Sequence, residues 1–308
     1  MPDAPFRYRS EDEDSARWLG FPFRDGDIVI STRSKSGTTW MQMICALLVF
    51  GTPELPAPLP ELSPWLDWLV EPRDAVYARL AAQRHRRFVK THTPLDGVPL
   101  DDRAHYVVVA RHPLDMAVSL WHQGGNLDRA RLAELTGQPP PQGQPGPRTP
   151  LVEALRHWVD QEVDPREELD SLPGVLWHLG DAWARRDRPN VTLVHYDDLV
   201  ADLAGGMRAL AGRLGVEVPE PRWPELVEAA TFDRMRQRAD RLAPDPAGVS
   251  RLAAPRSLSR SAYAQLRGVI ESVGVLDWTA PTPGVDRPRR ISVGLVKGID
   301  QIQPTMVA

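Results

Sequence analysis

The chain has a single cysteine, Cys45, so no intrachain disulfide is available and the sequence fits a reducing compartment. It also lacks any long apolar run. The longest, from Met43 to Phe50, falls far short of the roughly 20 residues that span a bilayer, so no membrane insertion is expected. Positive charge is not in excess: 37 Lys and Arg stand against 41 Asp and Glu, a net charge of −4. That removes the global basicity of a dedicated nucleic-acid binder and leaves local basic pockets open. No His/Cys/Asp cluster has ligand spacing, and His105, His112 and His122 are too scattered to make one, so no metal is expected. Arg7, Arg9, Glu11, Asp12, Glu13 and Asp14 precede any apolar stretch, which is wrong for a secretory leader. These absences point to a soluble, cytoplasmic protein.

What is present is ordinary globular composition over 308 residues, 42% apolar and 25% charged. The 31 prolines are concentrated: from Gly137 to Pro150 nine of fourteen residues are Pro or Gly, a density that excludes helix or ladder. Residues 124–150 are therefore read as a mobile loop, either lid or linker. Strand and helix patterns alternate on both sides of it, so residues 1–308 are read as one α/β domain. Asp27–Thr32, Phe88–Thr91, Tyr106–Ala110 and Val191–Tyr196 are short apolar, β-branched runs without polar alternation, as in strands covered on both faces. Helices are expected over Thr38–Val49, from Pro113 to about Gln123, over Leu151–Val163 and Val175–Arg186, and near 197–214 and 222–238. The alternation predicts a central parallel sheet flanked by helices on both faces.

The most informative stretch lies between the first strand and its helix: Ser31-Thr32-Arg33-Ser34-Lys35-Ser36-Gly37-Thr38-Thr39-Trp40. A helix N-terminus offers unpaired N–H groups and the positive end of a dipole. Gly37 lets backbone approach an oxyanion closely, Lys35 adds a full charge, and Ser36, Thr38 and Thr39 add hydroxyl donors. The density of donors favours a phosphate-type site over a merely well-capped helix. It is not a Walker A loop, because the lysine precedes the only glycine.

SKSGTTW resembles the 5′-phosphosulfate loop of the cytosolic-type sulfotransferases, usually written PKSGTTW, with Ser34 in place of the proline. The resemblance implies a P-loop-like fold and 3′-phosphoadenosine 5′-phosphosulfate (PAPS) as sulfonate donor, with adenosine 3′,5′-bisphosphate (PAP) as product. A second segment, Phe88-Val89-Lys90-Thr91-His92, is similar to the family's K-T-H segment, whose histidine is the catalytic base. A histidine just past a strand end can reach the crevice where α/β sheets bind ligands, and its pKa suits proton removal near neutrality. In the third, YVVVARHPLDMAVS, the resemblance gives Arg111 and Ser119 the donor's 3′-phosphate, for which a forked guanidinium is suited. Tyr196, Thr231 and Phe232 resemble residues that contact the nucleotide, and Trp40 the tryptophan beside the adenine. The resemblance covers roughly 18–245. Beyond about 250 the tail diverges: the family's R-K-G or R-R-G clamp and its following G-x-W have no counterpart in SRLAAPRSLSRSAYAQLRG, where Arg251, Arg256 and Arg260 supply charge without assignment.

The resulting expectation is sulfonate transfer to a hydroxyl or amine of a small-molecule acceptor. Lys35 and the loop N–H groups, with Arg33 and Ser34 among the loop residues, would hold the donor. Lys35 and Lys90 would stabilise developing charge, and His92 would remove the acceptor proton. The Pro-, Leu- and Trp-rich stretch Pro53–Trp68 either lines an acceptor pocket or simply packs, and suggests an aromatic or amphipathic acceptor. Ala-, Arg- and Pro-rich usage resembles that of high-GC bacteria, where such enzymes decorate secondary metabolites. A homodimer stays open. The alternatives are a P-loop phosphotransferase, which would need Mg²⁺, and a non-catalytic nucleotide-binding protein of the same fold.

Overall fold

The computed structural model describes residues 4–124, 127–139, 148–242 and 248–249. The expected tail from about 250 and the proline cluster at 140–147 lie outside them. Four strands form one parallel sheet: β1 (Ile28–Thr32), β2 (Phe88–Thr91), β3 (His105–Ala110) and β4 (Val191–His195), in the order β2-β1-β3-β4. The helices are α1 (Thr38–Phe50), α2 (Leu59–Leu62), α3 (Arg73–Ala82), α4 (Pro113–Gly124), α5 (Arg129–Thr136), α6 (Leu151–Asp160), α7 (Leu172–Ala184), α8 (Tyr196–Ala201), α9 (Leu203–Leu214), α10 (Trp223–Ala229), α11 (Phe232–Gln237) and α12 (Ala239–Leu242).

Two-residue alternation along the strands builds two apolar layers. Ile28, Ile30, Phe88, Val107 and Val109 face α1, α9 and α10, while Val29, Val89, Tyr106 and Val108 face α3 and α7. Both faces are covered, which is why β1 and β3 are buried at every position.

The structure corrects the sequence reading of 124–150. Arg129–Thr136 is a helix, with the Asp128 carboxylate accepting from the Arg131 N–H at one end and Gly137 in the left-handed region at the other. Proline begins two residues beyond that glycine, so helix and proline cluster coexist. The expected 197–214 helix is broken at Asp202, which caps α9 through the Gly205 N–H, and the expected 222–238 helix is broken at Thr231.

Candidate functional site: an anion elbow and a tethered histidine

The carboxyl ends of β1, β2 and β3 meet the N-terminus of α1. The turn between β1 and α1 places Lys35 in the left-handed region (φ 65°), the only non-glycine there among the described residues. Gly37 follows at φ 99° and starts α1 with no side-chain cap. The first-turn N–H groups of α1 thus have neither an intrahelical nor a side-chain acceptor. Other contacts hold the elbow from outside. Thr38 Oγ1 lies 2.5 Å from Thr32 Oγ1, Ser36 Oγ donates to Met116 Sδ of α4 at 3.3 Å, and Arg111 Nη1 donates to the Lys35 carbonyl at 2.8 Å. Burial, and then the Arg111 charge, lower the Lys35 pKa.

Around the elbow the structure gathers residues from four parts of the chain. The Arg111 guanidinium sits 4.6 Å from the Tyr196 ring centroid, and its buried Nε has no hydrogen-bond partner. The Tyr196 ring lies against Gly37, where an added Cβ would meet Cδ2 at 2.9 Å, and it meets Trp40 edge-on at 5.1 Å. Trp40 Nε1 donates to the Ala230 carbonyl at 2.8 Å, which brings Thr231 and Phe232 alongside. Phe232 leaves 62% of its surface exposed, while the Thr231 hydroxyl donates to the Glu228 carbonyl and caps α11. Ser119 lies half-buried on α4, its hydroxyl bonded to no other described residue. Ser34 and Thr39 complete the elbow, Thr39 exposed at the first turn of α1. A doubly charged ligand fits this donor set: an uncapped helix start, one lysine, and an arginine with an orphaned N–H.

Arg33 has a different place from the one expected of it. It is buried, and its guanidinium points away from the elbow to the His92 carbonyl, the Leu169 carbonyl (3.1 Å) and the Asp170 carboxylate (2.6 Å). Charge in a loop reads as an anion donor, but here a distant segment supplies its partners. Arg33 thus holds the backbone at His92.

His92 is held on every side. Its Nδ1 lies 2.6 Å from the Thr32 carbonyl. A carbonyl only accepts, so Nδ1 carries the proton and Nε2 presents its lone pair. Burial, then the Lys90 and Arg33 charges, keep its pKa well below the usual imidazole range, so the ring is neutral at pH 7. The flanking Thr91 and Thr93 hydroxyls both donate to the buried Asp67 carboxylate, Thr93 at 2.7 Å, and Trp18 Nε1 donates to it at 3.2 Å. Asp67 thus anchors the segment that carries His92, a contact that sequence reading missed. Its only signal was a carboxylate between the two tryptophans of PWLDW.

The Pro53–Trp68 stretch packs, as one of the two readings expects, and its tryptophans lie beside His92. Leu55, Leu59 and Leu62 pack into the core on the α1 face, and Leu66 into the other. Trp65 meets His92 edge-on at 4.7 Å and stacks on Trp68 at 5.1 Å. Lys90 Nζ lies 3.6 Å from the Trp65 centroid, so Lys90 and His92 share one indole. Burial lowers Lys90 to about 8. Among the described residues no group of His, Cys, Asp and Glu is arranged to hold a metal, and no helix is long and apolar enough to cross a membrane.

Comparison with known proteins gives the chain a family. Residues 25–245 match the sulfotransferase domain family. A glycolipid sulfotransferase of Mycobacterium bovis is 43% identical over 255 residues, covering 77% of this chain and 78% of that one. One of Mycobacterium tuberculosis is 43% identical over 254 residues, with the same coverage. A retinol dehydratase complexed with retinol and PAP superposes with a TM-score of 0.56 at 19% identity, covering 87% of this chain and 86% of that one. A mouse sulfotransferase complexed with PAP gives 0.52 at 15%, covering 84% and 88%. Those two likenesses speak for the fold alone. With the family match spanning most of the chain and relatives at 43% identity, this protein belongs to the sulfotransferase family, whose chemistry is sulfonate transfer to an acceptor.

Proposed function

We propose that the protein transfers the sulfonate of PAPS to a hydroxyl on the sugar headgroup of an amphipathic, glycolipid-type acceptor, without a metal. The observation that carries the reading is the pairing of two devices at adjacent strand ends: the uncapped elbow with Lys35, and a histidine whose Nδ1 is tied to Thr32 so that Nε2 is the free base. The glycolipid class is supported by the names of the relatives at 43% identity and by the indole surface beside His92.

When bound, PAPS supplies an activated sulfonate and a phosphate leaving group. The elbow N–H groups and Lys35 hold the 5′ end, Arg111 the 3′-phosphate, and Trp40, Tyr196 and Phe232 the adenosine. Lys35 and the α1 dipole stabilise the negative charge that grows on the departing oxygen more than they stabilise the ground state. His92 Nε2 takes the acceptor hydroxyl proton, worth about 10²–10⁴-fold. The Lys90 ammonium, fixed over Trp65, lends positive charge beside the transferred group. Asp67 and Arg33 keep the His92 backbone in place.

The test is turnover of ³⁵S-labelled PAPS against an acceptor panel of glycolipids, phenols and sterols, in EDTA. Sulfonated glycolipid with EDTA present is expected. Activity confined to ATP with Mg²⁺ would move the protein to the phosphotransferase alternative, and PAP binding without any turnover to the non-catalytic one.

A further inference from the structure

The parallel pairing of β1 with β2 ends at Ser31 and Thr91. Past that pair, other contacts continue the ladder. Ser31 Oγ donates to the Thr93 carbonyl at 2.7 Å, His92 Nδ1 is tied to the Thr32 carbonyl, and Arg33 Nη1 donates to the His92 carbonyl. Three consecutive residues thus hold residues 92 and 93. The Arg33 rung differs from the other two, because it is a charge at the end of a long side chain of which only 4% is exposed. A guanidinium shut away from water stays there only while it is paired.

The carboxylate that pairs with it is Asp170, on the segment between α6 and α7, with Oδ1 2.6 Å from Arg33 Nη2. That segment is built to present it. The Ser171 N–H and hydroxyl both donate to the Glu168 carbonyl, at 3.0 and 2.5 Å, and the Glu168 N–H donates to the Asp164 carbonyl at 3.0 Å. Gly174 of α7 lies so close that an added Cβ would meet the Glu168 carbonyl oxygen at 2.3 Å. Trp158 Nε1 of α6 donates to the Asp170 carbonyl at 2.7 Å, and its ring packs on the apolar clusters that include Met116, Ala117 and Val118 of α4. The Asp170 backbone is therefore fixed while its side chain, 46% exposed, contributes little to the core. What that side chain does is hold Arg33.

We propose that Asp170 is a positioning residue for sulfonate transfer. Its carboxylate keeps the Arg33 guanidinium inside the fold and on the His92 carbonyl. Without it the guanidinium swings out to water, the carbonyl loses its donor, and the imidazole tethered to Thr32 loses its fixed aim. The proposal rests on the reading of His92 as the base.

The experiment uses the full chain and its Asp170→Ala and Asp170→Asn variants. It measures turnover of octyl β-glucoside at saturating PAPS, and it follows the histidine ring nitrogens by ¹⁵N NMR with PAP bound. The His92 signal is assigned by its loss in His92→Gln. Wild type is expected to show His92 as a single tautomer with the proton on Nδ1. Misplacing a reacting group by about 1 Å costs about 10²-fold, so Asp170→Ala should lose about 10–100-fold in kcat, keep KM and PAP affinity within about twofold, and show both His92 tautomers. Asparagine keeps an oxygen for Arg33 and should recover at least about fivefold over alanine. A kcat within about twofold of wild type in Asp170→Ala, asparagine no better than alanine, or a His92 ring that keeps its one tautomer would each overturn the proposal. The NMR arm needs no acceptor, so a wild type inactive on the glucoside overturns the acceptor reading and leaves the His92 signal to decide this one. Undiminished turnover in His92→Gln would instead remove the base reading beneath it.

Discussion

Replacing Gly37 by alanine tests the elbow where it is least tolerant. At φ 99° an alanine carries left-handed strain, about 1–2 kcal/mol for an L-residue. Its Cβ would also lie 2.9 Å from Tyr196 Cδ2. Carbon pairs rest at about 3.5–4.0 Å, so the ring must move by roughly 0.5–1 Å. That ring is what Arg111 and Trp40 lean on, at 4.6 and 5.1 Å. Misplacement on that scale costs about 10²-fold in a reaction governed by positioning. Gly37→Ala is therefore expected to lose about 1–3 kcal/mol of stability in urea unfolding. PAP affinity should fall about 10-fold by calorimetry, and turnover about 10²-fold. Gly51→Ala, at the other end of α1, separates strain from collision: its φ is 62° and nothing lies within 4 Å of an added Cβ. It should lose stability and keep PAP affinity. Wild-type PAP affinity in Gly37→Ala, or equal losses in the two variants, would refute the idea that Tyr196 seats the nucleotide against the elbow.

Three further outcomes are expected. His92→Ala should lose about 10²–10⁴-fold in kcat while PAP affinity is kept, and the wild-type acid limb of kcat should lie below pH 6.5, because the native site holds His92 neutral beneath that value; an acid limb above 6.5 would contradict the buried-base assignment. Asp67→Ala leaves the Thr91, Thr93 and Trp18 donors without their acceptor, so chemical denaturation should show a loss of roughly 2–5 kcal/mol, and a change under 1 kcal/mol would remove its positioning role. Glu13 has a folded pKa raised to about 8, so its contribution to stability is fully present below about pH 4.5 and is lost as pH rises through 8. Glu13→Gln should then gain stability relative to wild type between pH 5 and 9, as read by melting temperature, and a constant difference would mean an ordinary surface carboxylate.

The sheet was legible because β1 and β3 are covered on both faces, so DIVIST and YVVVA carry no polar alternation to confuse with a helix. The elbow was legible because its donors are consecutive in sequence. Helix α5 was missed although Asp128 and Gly137 bracket it, because the proline density that follows dominated the reading. Helix α3 was missed because only Val76 and Leu80 are buried in it, too few for a helical period to show. Arg33 and Asp67 escaped for a common reason. Their partners lie across tertiary contacts, on the loop before α7 and on the threonines flanking His92. Chain separations of 24 to 137 residues leave no local pattern.

The most direct measurement is calorimetric titration of PAP into wild-type protein, Lys35→Ala and Arg111→Ala in EDTA. A phosphate-gripping elbow requires metal-independent binding to wild type. Each variant should then bind at least 10-fold more weakly, since each removes a charged hydrogen-bonding partner of the bisphosphate. Undetectable binding to wild type, or undiminished affinity in both variants, would contradict it.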